Sequence, residues 1–298
     1  MDFVIAILLG VVQGLTEFLP VSSSGCLVIL ERWFGFTAPA LPFHVFLHAG
    51  TTIAVMLVFR RDLIRLTAEA GRAVRSLHVS LKKKTGKEIP ADKAGLRSPA
   101  VRTNYQRLFD MLVTASIPAV LLGALFHRLF ASAAASPFMA GIGFLLTGVL
   151  LLVTDKVAPG DTIPREIPMK SAWQIGAAKA AALLPGVSGT AAALCTGIFA
   201  GFSRKNAIRF SFLLSVPVTA AALLFELAAG IAGMAGITGS VLTLRSVGLC
   251  LVGFAASAVT GVFAAGRLLR LLQNMRFLDG ACISFILGMT AIVTAFIF

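Results

Sequence analysis

Apolar residues fall in long blocks rather than in alternation. The blocks lie near residues 3–19, 42–59, 108–130, 138–154, 173–202, 207–229, 246–266 and 278–298. Several are long enough to cross a hydrocarbon core as helix, at roughly 1.5 Å of rise per residue. Two are interrupted by polar, Pro/Gly-containing sequence: Pro20-Val21-Ser22-Ser23-Ser24-Gly25 and Pro185-Gly186-Val187-Ser188-Gly189-Thr190. Such sequence at membrane depth is tolerated only where protein buries it or where it lines a wet cavity.

The two interruptions resemble copies of each other. Gly10-x-x-Gln13 precedes Pro20, and Gly176-x-x-Lys179 precedes Pro185. Phe43 follows the first proline by 23 residues and Phe210 follows the second by 25. The helices after them carry Thr51 and Thr52 in one case and Thr219 in the other. Paired broken helices of this kind point to a midplane site in a repeat-built membrane protein; chance similarity between small-residue-rich helices is the alternative. The predicted fold is therefore an all-α integral membrane protein. It has about six transmembrane helices and two re-entrant helix hairpins, arranged as inverted-topology repeats. Residues 1–298 form a single membrane domain, with a first half over 1–130, a basic loop at 60–107 and a second half over 138–298.

Composition supports the bilayer as solvent. The chain is 57% hydrophobic, its mean hydropathy is +0.91, and 13% of its residues are charged, against about 25% in a soluble domain. The net charge of +13 is uneven: residues 60–107 hold 13 of the 26 Lys and Arg and only four of the 13 acids. A nucleic-acid partner would also account for excess basic charge, but a cytoplasmic loop obeying the positive-inside bias is the better reading. That loop suits an anionic leaflet, and Gly86, Pro90 and Gly95 make part of it mobile. With it inside, the helix at 42–59 runs inward, the first break opens outside, and Arg267, Arg270 and Arg276 mark a second inner loop. The N-terminal segment lacks the basic start and cleavage site of a signal peptide. Cys26, Cys195, Cys250 and Cys282 sit in apolar stretches without CxxC spacing, as small buried hydrophobes.

Glu17 is the most informative residue, because a carboxylate in an apolar segment is expensive and is by default functional. An interfacial carboxylate capped by Ser22 to Ser24 is the alternative. Gln13 lies one turn earlier on the same face, and the pair can hold a divalent cation or orient a nucleophile. Ser22, Ser23, Ser24, Ser188, Gly189 and Thr190 read either as ordinary helix caps or as a phosphate nest. Arg204 reads equally as a cationic clamp or as an interfacial residue. His44 and His48 have metal-ligand spacing but lack an evident third ligand.

The stretch Leu9 to Gly25, with its Q-x-x-x-E pair and PVSSSG run, resembles the first signature of the undecaprenyl pyrophosphate phosphatase (bacitracin-resistance) family. Residues 201–204 and 210–217 are also similar to that family, and the likeness runs the length of the chain apart from an enlarged loop near 76–100. The resemblance implies a multi-pass protein of the bacterial inner membrane, its active site reached from outside, that removes the terminal phosphate from a C55 polyprenyl diphosphate. It implies Glu17, Gln13 and Ser23 as catalytic residues, and Ser22, Ser24, Ser188, Thr190 and Arg204 as substrate-binding residues; Lys179, which is not a family residue, is added to the substrate-binding set for its charge. It also implies a divalent cation, Mg or Ca, on Glu17. The partners it implies are the lipid and the membrane, with no nucleic acid, and a homodimer is compatible with it.

Three positions depart from the pattern. The signature His is Cys26, the second-motif Arg is Gly189, and its Thr is Ala193. A bidentate arginine neutralises developing charge and a histidine moves protons. Their loss keeps open a non-hydrolytic relative that binds or translocates a polyprenyl phosphate. One further departure counters the loss of charge: Lys179 stands where the family has Gln, and either points its ammonium at the vacated guanidinium position or snorkels to the interface.

Overall fold

The computed structural model describes residues 1–36, 40–84, 103–164, 166–231 and 244–297. Among them there is no strand, only one isolated bridge between Thr162 and Phe202. The helices are α1 (Asp2–Thr16), α2 (Ser23–Phe34), α3 (Ala40–Val58), α4 (Arg60–Lys84), α5 (Asn104–Leu125), α6 (His127–Ala133), α7 (Pro137–Asp155), α8 (Met169–Ala180), α9 (Gly189–Phe199), α10 (Arg204–Ile231), α11 (Leu244–Asn274) and α12 (Phe277–Ile297). Five of these, α5, α7, α10, α11 and α12, are long and apolar enough to cross a membrane; the bent pair α3–α4, counted as one span, makes six.

Helix starts are written locally. Ser22, Ser136 and Ser188 each accept a hydrogen bond from a backbone N–H in the first turn of α2, α7 and α9. Thr103 and Gln106 form a reciprocal capping box at α5. Gly35, at φ 61°, ends α2 in the left-handed conformation that glycine adopts without a Cβ penalty.

Helices that share lipid as solvent gain little from burying apolar surface, so close backbone approach does more of the work. Helix α11 offers Gly253, Ser257 and Gly261 on one face. A Cβ on Gly10 or Gly14 of α1, or on Gly50 of α3, would collide with that face. The same close fit recurs between Gly176 of α8 and Ala115 of α5, and between Gly141 of α7 and Gly288 of α12. These crossings clamp α1 and α8, the helices that lead into the two breaks.

One end of the bundle is tied by basic residues. Arg209 pairs with both oxygens of Asp62 at 2.8 and 2.7 Å, and Tyr105 Oη donates to the same carboxylate at 2.9 Å. Arg107 donates to the carbonyl of Ile167 at 2.6 Å. At the opposite end Arg245 pairs with Asp2, and Trp33 donates to Thr294 at 3.0 Å.

Two expectations change here. Residues 60–84 of the basic loop are helix: α4 leaves α3 at 92° and buries Leu66 and Glu69. The expected mobile part around Gly86, Pro90 and Gly95 lies outside the described residues. Cysteines 195 and 250 are buried as expected, but Cys282 is exposed on the helix surface and Cys26 is half-buried. For Cys282 the apolar surroundings read from sequence are lipid-facing rather than interior.

Candidate active site

The two breaks meet. Ser22 Oγ, the N-cap of α2, donates to the carbonyl of Val187 in the second break at 3.4 Å. Glycines allow this contact: a Cβ on Gly25 would strike the Gly186 Cα and the Phe144 ring, and a Cβ on Gly143 would strike the Pro185 carbonyl. Gly186 itself has φ 85°, with no room beside the Ala140 carbonyl. The exposed backbone of the second break is satisfied by a side chain. Thr147 Oγ1 donates to the Gly186 carbonyl at 2.9 Å and accepts from Ser188 N at 3.0 Å. Backbone polar groups at membrane depth need such partners, since lipid offers none.

A cavity opens over the junction. Its polar wall is made by Glu17, the serines 22–24, His48, Lys179, Ser188, Gly189 and Thr190, with Ser215 and Thr219 from α10. The Glu17 carboxylate is the centre of a hydrogen-bonded cluster. Its Oε2 accepts from Gln13 Nε2 at 2.8 Å and from Ser23 Oγ at 3.0 Å, and lies 3.0 Å from His48 Nδ1. His48 Nδ1 is also 2.9 Å from Gln13 Nε2. Gln13 is fully buried, and its Oε1 has no partner among the described residues. Ser22 Oγ and Ser24 Oγ are 3.1 Å apart.

Most of the residues singled out from the sequence therefore converge: Gln13, Glu17, Ser22, Ser23, Ser24, Lys179, Ser188 and Thr190. Arg204 does not. It sits at the basic end, donating to the carbonyls of Leu272 and Met275 and lying over the Phe277 ring at 4.1 Å. Its task is to cap the carbonyls at the C-terminus of α11, which corrects the clamp reading. The two histidines do not share a ligand either. His44 Nε2 turns to Glu31 at 3.0 Å, in a buried pair, while His48 turns to Glu17. Sequence reasoning missed His48 as a neighbour of the carboxylate, along with Thr147, Ser215 and Thr219. The i,i+4 spacing fixed a shared face for the histidines, not their partners.

Of the departures from the family pattern, Gly189 and Lys179 line the polar wall, while Cys26 and Ala193 sit away from it. Cys26 packs with Phe144, Val28 and Ile29 in an apolar cluster, and Ala193 is buried in the core. Neither lines the cavity.

For a divalent cation the donor set is modest. Among the described residues no three His, Cys, Asp or Glu side chains converge, and Glu17 supplies the only carboxylate of the cavity. This fits a cation such as Mg²⁺, which is commonly held by one or two carboxylates and completed by substrate phosphates and water. The unpartnered Gln13 amide oxygen, freed by an amide flip beside Glu17, would add a neutral oxygen ligand.

Comparison with known proteins covers nearly the whole chain. Residues 6–292 match the family model described as bacitracin resistance protein BacA. An undecaprenyl-diphosphatase of Desulforapulum autotrophicum is 33% identical over 297 residues, covering 100% of both chains. One of Rubrobacter xylanophilus is 37% identical over 261 residues, covering 87% of this chain and 86% of its own. A third, of Tropheryma whipplei, is 33% identical over 300 residues, covering 98% of each.

Proposed function

Because the chain belongs to the bacitracin resistance protein BacA family, we propose that it is an undecaprenyl-diphosphatase working through the cavity where the two broken helices meet. The reaction is hydrolysis of undecaprenyl diphosphate to undecaprenyl monophosphate and inorganic phosphate, which returns the lipid carrier to cell-wall synthesis. The observation that carries this reading is the placement of Glu17: a carboxylate at the C-terminal end of an apolar helix, facing serine hydroxyls contributed by both breaks.

Each residue then has a task. A water oxygen bonds to the terminal phosphorus while the bond from that phosphorus to the bridging oxygen breaks. The bridging oxygen departs on the lipid monophosphate. Glu17 takes the proton of the attacking water, its carboxylate aimed by Ser23 and Gln13. Ser22, Ser24, Ser188 and Thr190 donate to phosphate oxygens, in the manner of a hydroxyl and backbone N–H nest. A divalent cation, held by Glu17, would supply neutralisation of the charge developing in transfer. Orientation follows from the basic residues: the end carrying Arg107, Arg204 and Arg209 faces the cytoplasm, in the inner membrane of a bacterium, and the cavity opens to the outside.

The test is phosphate release from C55 diphosphate by purified protein in detergent with Mg²⁺ or Ca²⁺. Wild type is expected to release phosphate, and Glu17→Gln to lose at least about 100-fold while staying folded, consistent with removal of a general base. A wild-type protein that binds the lipid diphosphate without releasing phosphate would overturn the phosphatase reading in favour of a non-hydrolytic polyprenyl-phosphate binder.

A further inference from the structure

Among the described residues lining the cavity, Lys179 is the only lysine or arginine. It stands in the last turn of α8, just before the second break. Two readings of this residue were open from sequence, a cavity cation and a side chain snorkelling to the interface. Its position decides between them. The ammonium shares the cavity with Glu17, close enough for mutual electrostatic attraction. Yet no hydrogen bond or ion pair within 4.0 Å is formed by Lys179 among the described residues. An ammonium at membrane depth is costly, and a carboxylate it does not contact offsets only part of that cost. An unpaired cation facing a hydroxyl nest is a ligand group awaiting an anion.

What makes room for it is Gly189. A Cβ built on Gly189 would lie 3.0 Å from Ala182 Cβ, 3.6 Å from Lys179 Nζ and 4.0 Å from its Cγ. Gly189 is the first residue of α9, and it has no positive φ, so backbone conformation does not demand a glycine there. The absent side chain is therefore a matter of space. Gly189 and Lys179 line the same cavity within contact distance of each other, so a long side chain at 189 would compete with the lysine for that space.

We propose that Lys179 is the diphosphate-binding cation of this site, reaching across the break from α8 into a vacancy at Gly189, so that the two positions form one exclusive unit: one cation, delivered from either side but not from both. This rests on the phosphatase reading only for the identity of the anion. Lysine offers a compact point charge where arginine offers a two-pronged fork, so the chain keeps the charge and gives up planar, bidentate orientation of the phosphate.

The experiment is a two-by-two set, Lys179→Gln, Gly189→Arg and the double variant, each checked for folding by thermal unfolding. Two readouts are taken: kcat and KM for C55 diphosphate, and the Kd for inorganic diphosphate and for C55 monophosphate. Lys179→Gln is expected to raise KM and both Kd values at least tenfold. Gly189→Arg alone is expected to bring no gain, because guanidinium and ammonium would be forced together. In the Lys179→Gln background the same arginine is expected to recover binding. Effects that simply add, or a Lys179→Gln variant with unchanged KM and Kd, would overturn the exclusive pair. If Gly189→Arg unfolds the protein, Gly189→Lys serves in its place, with the same sign of coupling required. Absence of turnover in wild type would remove the phosphatase reading alone, since the binding arm still reads the pair.

Discussion

At the scale of single residues, Glu17 owes its fixed position to three neighbours on one oxygen. Gln13 reaches it along α1, Ser23 from across the first break, and His48 from α3. His48 acts through Glu17 and is a positioning residue. Its ring also meets Gln13, so removal would loosen two side chains of the cluster at once. His48→Ala is expected to lower kcat about tenfold, roughly the worth of one hydrogen bond to a charged group. His48→Gln, which still offers a donor toward the carboxylate, is expected to keep most of the activity. Equal loss in both variants would show that the imidazole, not the donor, is what the site needs. Glu17 and the serines were legible in the sequence because polar residues inside an apolar run stand out. The carboxylate's third neighbour was not, because helical spacing gives a face and says nothing of what faces it. Arg204 shows the converse: a position inside a recognisable motif suggested the cavity, while the guanidinium is consumed by helix-end carbonyls at the basic end.

At the scale of elements, two similar breaks, Pro20-Val21-Ser22 and Pro185-Gly186-Val187-Ser188, are stabilised in two ways. The first break is held by Ser22, which caps α2 and touches Val187 of the second break. The second leans on α7, where Thr147 serves both the Gly186 carbonyl and the Ser188 N–H. Thr147→Val, nearly the same shape without the hydroxyl, would leave both backbone groups unpaired in a buried seam, at about 1–3 kcal/mol each. The variant is expected to unfold several degrees earlier in a thermal scan, with Thr147→Ser restoring most of the loss. An unchanged unfolding temperature would mean the break does not depend on α7. The broken segments themselves were readable from sequence, since Pro, Gly and Ser interrupt an otherwise continuous apolar run. The nature of α4 was not. Its arginines and lysines lower hydropathy enough to look like a loop, although Leu63, Leu66 and Ala70 recur at helical spacing, and all three face an apolar groove beside α5 and α10. Thr147 was invisible for a different reason: a threonine in an apolar helix usually bonds to its own helix, and only the tertiary arrangement gives it a second client.

At the scale of the whole molecule, charge and cavity together predict the direction of the site. Residues 60–107, 155–170, 204–209 and 267–276 carry 22 of the 26 Lys and Arg. The described parts of these segments gather at one end, through the contacts of Asp62 with Arg209, Arg107 with Ile167, and Arg204 with Leu272. Of the remaining four, Arg32 and Arg245 stand on segments at the opposite end, tied there through the Trp33–Thr294 and Asp2–Arg245 contacts. Lys179 stays between the ends, at the break. Such an asymmetry orients a multi-pass protein with its basic end in the cytoplasm. A background lacking the four native cysteines, which include the exposed Cys282, allows this to be read with a membrane-impermeant thiol reagent. Cysteine at position 245 is expected to label in intact cells, and cysteine at 156 only after permeabilisation. Ser24→Cys, in the cavity wall, is expected to label from outside and to be protected by C55 diphosphate, because a lipid phosphate seated in the nest would cover it. Labelling of position 156 in intact cells would reverse the orientation. Labelling of Ser24→Cys only after permeabilisation, with position 245 still outside, would keep the fold's orientation but move the entrance of the cavity to the cytoplasmic leaflet.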